Sequence, residues 1–341
     1  MLSIKGQTNI TELRAGRACA KNLGSELGKF VVTTMEIPWK VTKEKLGGKP
    51  QAVIMVETME ERWLEEMLAK LPECDTVVGV GGGQAIDAAK YISWKRGIRL
   101  VSIPTILSVD AFVTPAAGIR RNHEVIYVGT SSPNPLVIDF EILRTAPPEL
   151  NIAGVGDLLS IHTGTFDWEY AQSKGKSEYP FMADDVANGR KILEKIYTLL
   201  PEIRNQTDKG LLAIVEGYMV MNTLCLPAGH YRIEEGSEHF LFYELEERLK
   251  RPFVHGYIVG LGIYLMSQLQ NNQFEKIKNV MDELGLKYHP ADMGILKEDL
   301  IASLLNIKNF VAKKPNLWYS VIDDSEITRE WTLKAISGLR F

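Results

Sequence analysis

The sequence is poor in cysteine, with three among 341 residues: Cys19, Cys74 and Cys225. They lie far apart, are odd in number and form no Cys-x-x-Cys pair, so neither a disulfide framework nor a thiolate zinc motif is predicted. This usage is typical of a reducing compartment. The first thirty residues also lack the charged-then-apolar pattern of a signal peptide, and we therefore expect a cytoplasmic protein.

The sequence also lacks long apolar runs and any excess of positive charge. The net charge is −4 and no basic block is present, which argues against a nucleic-acid partner. No apolar run reaches the ~18 residues that a membrane span needs. A small-molecule partner is the remaining expectation. The length of 341 residues, 45% of them hydrophobic, favours a globular protein of two domains.

The first half of the chain alternates between apolar, β-branched runs and helical patterns. This order predicts a parallel, doubly wound sheet with ligands at the carboxyl ends of its strands. A turn is expected at Asn122-His123, and residues 39–45 give only weak signals. The predicted strands are 29–34, 51–57, 76–80, 99–104, 119–128 and 136–139, and the predicted helices are 19–27, 60–71 and one from 84.

From Pro147-Pro148 onward the pattern is helical and no convincing strand remains. We therefore place a domain boundary there and predict an α/β domain, 1–147, and an all-α domain, 148–341. The predicted helices are 156–171, 180–200, 209–224, 235–250, 256–270, 273–284, 297–305 and a tail over 323–340.

A run of three glycines follows the third predicted strand, Thr76 to Val80. Gly81, Gly82 and Gly83 carry no side chains, and a helix is predicted from Gln84. Free N–H groups and the positive end of a helix dipole then meet at one point, which favours binding of a pyrophosphate. A tight turn without a ligand is the alternative, although three adjacent glycines cost chain entropy. The spacing is neither Gly-x-Gly-x-x-Gly nor that of a P-loop.

Three residues of the helical half have side chains suited to a metal. Asp157 stands at a predicted helix start, and His239 and His255 follow later in the chain. One carboxylate and two imidazoles can hold a divalent ion and leave a position open for substrate. Their separations match no local metal motif. Asp157 as a helix N-cap and the histidines as satisfied core residues therefore remain alternatives.

Five motifs occur in one order along the chain. They are Gly81-Gly-Gly-Gln-Ala-Ile-Asp87-Ala-Ala-Lys90, Ser102-Ile-Pro-Thr105-Ile-Leu-Ser108-Val-Asp110, Gly156-Asp157-Leu-Leu-Ser160 with Asp167-Trp168, Gly236-Ser-Glu-His239, and His255-Gly256. In this order they resemble the iron-containing alcohol dehydrogenase superfamily, and within it most of all the sn-glycerol-1-phosphate dehydrogenases. Glycerol dehydrogenases and dehydroquinate synthases are relatives of that family.

The resemblance implies a dehydroquinate synthase-like fold, with a Rossmann-like α/β domain followed by a helical domain. It implies one divalent metal, zinc first and nickel or iron otherwise, bound by the catalytic residues Asp157, His239 and His255. Such an ion would lower the pKa of a substrate alcohol. Asp110 matches a carboxylate near the reacting oxygen and is expected to orient the substrate or relay a proton.

For the cofactor, the resemblance implies NAD or NADP, bound by the glycine turn together with Asp87, Thr105 and Ser108. Alternatively, Asp87 and Lys90 only stabilise the turn, and Thr105 and Ser108 only shape a loop. Thr34 falls where NAD-selective members often carry Asp, so the choice between NAD and NADP stays open.

The chain departs from the family around the substrate. Val109 and Ala111 replace the His and Gly that flank the family's Asp. Leu241, Phe242 and Tyr243 stand where a second His is usual, and Tyr257 replaces a Glu. Polar groups have thus become apolar or aromatic.

Arg232 lies shortly before the Ser-Glu-His motif, where the family often has an arginine. It is expected to bind a substrate phosphate. The alternative is a surface ion pair with Glu234 or Glu235.

These features together predict a metal-dependent NAD(P)-linked dehydrogenase of a small polyol phosphate, glycerol-1-phosphate by resemblance, acting as a homo-oligomer. Three alternatives stay open: a reductase of another small carbonyl, such as glycerol or a phosphate- or phosphonate-bearing aldehyde; a cyclising lyase of the dehydroquinate synthase kind; and a homologue that binds nucleotide without turnover.

Overall fold

The structure, a computed structural model, describes residues 8–122 and 124–341. Contacts between residues divide the chain into two units, one ending at Asn151 and the other covering Ile152–Phe341. The division falls within one helix, Pro148–Leu159. The assignment of nucleotide binding to 1–147 and of metal and substrate binding to 148–341 stays a prediction.

The first unit contains a six-stranded parallel sheet in the order β1-β8-β5-β4-β2-β3, and β6 and β7 form a separate antiparallel hairpin. The strand bounds are β1 Leu13–Gly16, β2 Phe30–Thr34, β3 Ala52–Met55, β4 Thr76–Gly81, β5 Arg99–Pro104, β6 Ala117–Arg121, β7 Glu124–Val128 and β8 Leu136–Asp139.

The central strands are apolar on both faces because helices and loops cover both sides of the sheet. Val78 and Val80 of β4 enter one core cluster, whereas Val77 enters another. The helical elements of this unit are α1 Glu36–Leu46, α2 Glu61–Ala69, α3 Gly83–Arg96, α4 Phe140–Leu143 and the 3₁₀ turns Leu23–Glu26 and Asp110–Phe112.

The order of β2, β4 and β5 decides where a ligand can bind. The β2–α1–β3 connection runs towards one edge of the sheet, and the β4–α3–β5 connection runs towards the other. In other doubly wound sheets ligands bind beyond the carboxyl ends of the strands at such a point, and here these strands are β2 and β4. The glycine run begins at the end of β4. It therefore lies at the point where the order of strands in the sheet changes direction.

The predicted helix over 19–27 is wrong. Ala18 and Asn22 have left-handed φ angles of 54° and 60°. Backbone groups here bond to residues distant in sequence instead of forming a helix. The N–H of Asn22, for example, donates to the carbonyl of Lys45 at 2.8 Å. Only the short 3₁₀ turn forms.

Residues 39–45, whose sequence gives only weak signals, belong to the helix α1. Pro38 stands in its first turn, where an N–H has no intrahelical partner to lose. The short edge strand β1 is also absent from the predicted elements. The hairpin turn contains Asn122 with φ 53°, as its position predicts, and His123 lies outside the described residues.

The second unit is helical throughout, and no strand occurs in residues 152–341. The predicted fold class, a parallel α/β sheet followed by a helical half, is confirmed. The helices from the division onward are α5 Pro148–Leu159, α6 Ile161–Ser173, α7 Ala183–Thr198, α8 Leu200–Arg204, α9 Asp208–Ala228, α10 Ser237–Leu249, α11 His255–Leu269, α12 Phe274–Leu284, α13 Pro290–Met293, α14 Lys297–Val311, α15 Val321–Asp324 and α16 Arg329–Ala335.

One described helix, α9, is long and apolar enough to cross a membrane by length and composition. The search of the sequence for uninterrupted apolar runs does not detect it, because polar residues interrupt this helix. Its most apolar 18-residue window has a mean hydropathy of 1.5 and is 67% buried inside the protein. It also carries the buried Glu216, which forms an ion pair with Lys195. These are features of a core helix.

Candidate metal centre and glycine turn

Three helices of the second unit bring Asp157, His239 and His255 together. Asp157 lies in the last turn of α5, His239 in the first turn of α10, and His255 is the first residue of α11. Asp157 is therefore not a helix N-cap, and the helix start predicted at residue 156 is wrong. The ligand atoms of the three side chains all lie within 4.8 Å of one another.

A close backbone contact explains why two of these residues stand next to glycines. A Cβ on Gly156 would lie 2.2 Å from the carbonyl oxygen of Gly256, and a Cβ on Gly256 would lie 1.6 Å from that of Ala153. Any larger residue would force α5 away from the start of α11. The glycines thus let the two helices approach closely enough for Asp157 and His255 to meet.

The distances within the cluster suit a small tetrahedral ion. The Oδ1 atom of Asp157 lies 3.0 Å from Nε2 of His255 and 3.5 Å from Nε2 of His239, and the two Nε2 atoms are 3.3 Å apart. Ligand atoms at about 2.0–2.1 Å from a tetrahedral ion are about 3.3–3.4 Å apart. The donor set of one carboxylate and two imidazoles therefore fits zinc and, by ligand type, nickel or iron.

The electrostatics of the cluster favour a cation. Burial alone would raise the pKa of Asp157, but His255 and His239 hold it well below its ordinary value. Burial alone would lower the pKa of His239, but Asp157, Glu238 and Glu235 raise it well above its ordinary value. Three carboxylates thus surround two imidazoles, and this excess of negative charge attracts a divalent ion.

The sequence motifs did not assign two buried side chains that support the ligands. Glu238 accepts a hydrogen bond at 2.9 Å from Nδ1 of His239, and it is fully buried. The Tyr218 hydroxyl lies 3.3 Å from Oδ2 of Asp157 and 2.9 Å from the carbonyl oxygen of Gly154. Glu238 could have been found from its place beside His239, whereas nothing local in the sequence marks Tyr218.

The glycine turn lies at the switch point of the sheet, as its sequence predicts. Gly81 ends β4 with φ 150°, a conformation that side chains disfavour, and Gly82 precedes the first residue of α3. No side chain caps this helix. A Cβ on Gly82 would come within 2.7 Å of Ile106, and one on Gly83 within 3.0 Å of Val109. The bare backbone therefore leaves free helix N–H groups where an anion can bind.

Asp87 and Lys90 pair with each other inside the first unit. The Lys90 ammonium is almost fully buried, lies 2.6 Å from Asp87 and donates to the carbonyls of Thr114 and Ala116 at 3.2 and 2.6 Å. Burial raises the pKa of Asp87, while Lys90 and the N–H of Gly118 counteract it. The structure thus shows the stabilising role of this pair, and cofactor binding by Asp87 stays a prediction.

The other predicted residues of this unit line the segment after β5. Thr105 is buried and its N–H donates to the carbonyl of Gly81 at 3.0 Å, so it ties this segment to the glycine turn. Ser108 and Asp110 are half-buried, with Asp110 in the 3₁₀ turn. Their cofactor and substrate contacts stay predictions.

Arg232 is fully buried in the helical unit, so the alternative of a surface ion pair is wrong. Its Nη2 donates to the carbonyls of Tyr319 and Asp167 at 3.1 and 3.5 Å, and its guanidinium lies over Trp318. Nε and Nη1 are buried without a partner. Contact with a substrate phosphate stays a prediction, and this burial argues against it.

Known proteins are similar to this chain in sequence and in fold. A family model described as iron-containing alcohol dehydrogenase matches residues 32–147. The glycerol-1-phosphate dehydrogenase (NAD(P)+) of Sulfurisphaera tokodaii is 28% identical over 310 residues, covering 89% of this chain and 87% of the relative. The corresponding enzyme of Aeropyrum pernix is 27% identical, covering 81% and 76%.

Solved structures share the fold over nearly the whole chain. The crystal structure of a probable glycerol dehydrogenase from Sinorhizobium meliloti superposes with a TM-score of 0.68, 22% identity and 98% coverage of both chains. Together with the family model and the curated relatives, it confirms the resemblance that the five motifs predict, and this chain is an enzyme related to the NAD(P)-dependent iron-containing alcohol dehydrogenases.

Proposed function

We propose that this chain is a metal-dependent, NAD(P)-linked oxidoreductase that interconverts glycerol-1-phosphate and dihydroxyacetone phosphate. The observation that carries the proposal is the convergence of Asp157, His239 and His255 on one point. The enzyme names of the curated relatives support the substrate.

The metal would be held by Asp157, His239 and His255. When bound, such an ion supplies a Lewis acid that polarises the substrate oxygen and lowers the pKa of an alcohol. The side chains of Asp157 and His239 are 6% and 2% exposed, whereas that of His255 is 24% exposed. Substrate would therefore approach the cluster from the side of His255. The two buried ligands, Asp157 and His239, would fix the position of the ion.

The nucleotide would bind to the unit that ends at Asn151, with its pyrophosphate on the glycine turn and with Asp87, Thr105 and Ser108 beside it. The nicotinamide carries the hydride chemistry, and the chain supplies position and charge. Asp110 would orient the substrate or relay its proton. We propose the same division of roles for the two predicted domains, 1–147 for nucleotide and 148–341 for metal and substrate.

The choice between NAD and NADP turns on the end of β2. Thr34 ends this strand, and its neutral side chain neither repels a 2′-phosphate nor holds a ribose as a carboxylate does. Glu36 is exposed in the first turn of α1 and is the nearest acid in sequence. The choice therefore stays open, and activity has to be measured with both NADH and NADPH.

A specific contact favours a second candidate, the reduction of a different small carbonyl. Phe242 is one of the three residues that stand where the family usually has a second His, and its ring packs edge-on against His255 at 5.0 Å between centroids. An apolar wall beside a ligand suits a less polar substrate. Arg232 is fully buried and donates to a backbone carbonyl, which argues against its contact with a substrate phosphate and supports the second candidate.

The proposal also places the enzyme in the cytoplasm as a homo-oligomer. All three cysteines are free, which supports a reducing compartment. Light scattering of the purified protein tests the oligomer directly.

The test of function is the absorbance at 340 nm with a panel of carbonyls, each offered with NADH and NADPH and with added Zn²⁺, Ni²⁺ or Fe²⁺. We expect dihydroxyacetone phosphate to be reduced fastest. Dihydroxyacetone, which has the same carbon skeleton without the phosphate, is the matched control. Faster reduction of the control or of another carbonyl overturns the substrate, and the absence of any oxidation of either cofactor overturns the oxidoreductase.

A further inference from the structure

We propose that Glu238 is a positioning residue that fixes the proton of His239 on Nδ1 and so presents Nε2 to the metal. The inference rests on the metal centre of the proposed function. Oε1 of Glu238 lies 2.9 Å from Nδ1 of His239. On the opposite side of the ring, Nε2 faces Asp157 at 3.5 Å and His255 at 3.3 Å.

The chemistry of a neutral imidazole makes the two sides of this ring complementary. A histidine that ligates a metal is neutral and carries one proton, so that one ring nitrogen donates a hydrogen bond and the other ligates. A carboxylate cannot donate, and Glu238 therefore requires the proton on Nδ1. The lone pair then lies on Nε2, the nitrogen that points into the cluster. A carboxylate in this role also makes the ligating nitrogen more basic.

The position of Glu238 is itself fixed by its surroundings. Its Oε1 also accepts a hydrogen bond from the N–H of Gly236 at 2.6 Å. Helix α11 packs so closely that a Cβ on Gly262 would lie 2.5 Å from the carbonyl oxygen of Glu238. Asp167 holds the start of the same helix by accepting from the N–H of Ser237 at 2.8 Å. These contacts fix the backbone at the start of α10, and the N–H of Gly236 orients the carboxylate beside the ring of His239.

The negative charge of Glu238 points to a function at this position. The residue is 0% exposed, and its Oε2 is buried without a hydrogen-bond partner. Both hydrogen bonds use Oε1, so a neutral glutamine would satisfy them equally well. A buried charge is costly to the fold. What the charge adds over an amide is a stronger pull on the imidazole proton.

The two histidines differ in this respect. Within the described chain, Nδ1 of His255 has no corresponding acceptor, and the residue before it is Val254. The side chain of His255 is partly exposed, whereas that of His239 is buried. Glu238 therefore makes His239 the rigid ligand, and His255 keeps the freedom to adjust when substrate enters.

The test compares Glu238→Leu and Glu238→Gln with the wild type, by zinc affinity in competition with a chromogenic chelator. Leucine has similar size but removes the acceptor, and glutamine keeps an acceptor but removes the charge. We expect the zinc Kd to rise about 10–100-fold with leucine. With glutamine it should rise less, since a charge-assisted hydrogen bond is about twice as strong as a neutral one.

Glu244→Gln is the matched control. Glu244 lies on the same helix, is 2% exposed and bonds to Arg248 and Asn306 at 2.6 and 3.1 Å, away from the metal ligands. It should alter stability and leave zinc affinity unchanged. In the zinc-loaded wild type, nitrogen NMR of His239 should show the proton on Nδ1.

Unchanged zinc affinity in Glu238→Leu, or a proton absent from Nδ1 of His239 in the zinc-loaded wild type, overturns the inference. If the leucine variant does not fold, the position of the proton in the zinc-loaded wild type decides the inference, and a glutamine variant with the wild-type Kd overturns the role of the charge. A wild type that binds no divalent ion overturns the proposed function itself. A wild type that binds zinc as well as its Glu238→Leu variant overturns only the role of Glu238.

Discussion

Gly82→Val should abolish cofactor binding while leaving the first unit folded. The backbone of Gly82 has φ −86° and ψ −167°, an extended conformation that valine adopts without strain. The added Cβ would lie 2.7 Å from Cδ1 of Ile106. This atom ends a half-buried side chain and can rotate away, so the cost to the fold is that of modest overpacking, about 1–3 kcal/mol.

The effect on binding should be larger than the effect on stability. The valine side chain would occupy the space in front of the first N–H groups of α3, where the pyrophosphate is proposed to lie. A hydrogen bond to a charged group contributes about 1.5–3 kcal/mol, and each 1.4 kcal/mol is about tenfold in affinity. Loss of two such bonds should lower the affinity for NADH or NADPH by more than about a hundredfold.

Titration of NAD(P)H fluorescence measures the affinity, and urea denaturation measures the free energy of unfolding. Gly79→Ala is the matched control, because its Cβ would lie 2.9 Å from Ala89 and 3.1 Å from the Cα of Ile86, between β4 and α3. It should reduce stability and leave the affinity of the folded protein close to that of the wild type. Wild-type affinity in Gly82→Val would refute the assignment of the glycine turn.

Further substitutions test the remaining buried groups. Lys90→Met should lower the free energy of unfolding by about 3–5 kcal/mol in urea, since Asp87 loses its buried counter-ion. Burial already raises the pKa of Asp87, so the variant should regain stability as the pH falls through that pKa; a loss independent of pH contradicts this. Asp157→Ala should eliminate zinc binding in equilibrium dialysis, and retained binding at wild-type affinity contradicts the ligand set. Tyr218→Phe should lower the affinity for zinc about tenfold in the same assay. An unchanged affinity would mean that the hydroxyl only donates a hydrogen bond to the carbonyl of Gly154 and does not support Asp157.

The sheet could be predicted from the sequence because its signals are local. Runs such as Val77 to Val80 are apolar on both faces, and the glycines that follow can only mark a turn with special backbone. The region around Asn22 could not be predicted in this way. Its residues are compatible with a helix, but bonds to Lys45 and Asp139, distant in sequence, fix a left-handed turn. Tertiary contacts override local propensity there.

The three proposed metal ligands could be predicted even less well from local sequence. Spacing along the chain does not unite Asp157 with His255, which are 98 residues apart. The resemblance to a family selected them, and the structure supplies the physical reason in the contact between Gly156 and Gly256. Arg232 shows the converse. Its place before the Ser-Glu-His motif suggested a phosphate ligand, but nothing in the sequence signals that its side chain is buried under Trp318.

The aromatic residue Phe242 leaves the support of the proposed metal centre intact, because it contacts a different side of the cluster. Asp157 and His239 are supported from within by Tyr218 and Glu238, all of which are buried. Phe242, one of the three residues that stand where the family usually has a second His, packs against the more exposed His255. A change there can alter which carbonyl fits without moving the two rigid ligands. The geometry therefore ties the identity of the reaction to residues within the core of the helical unit and the identity of the substrate to the wall beside His255. A substrate other than dihydroxyacetone phosphate would revise the latter assignment alone.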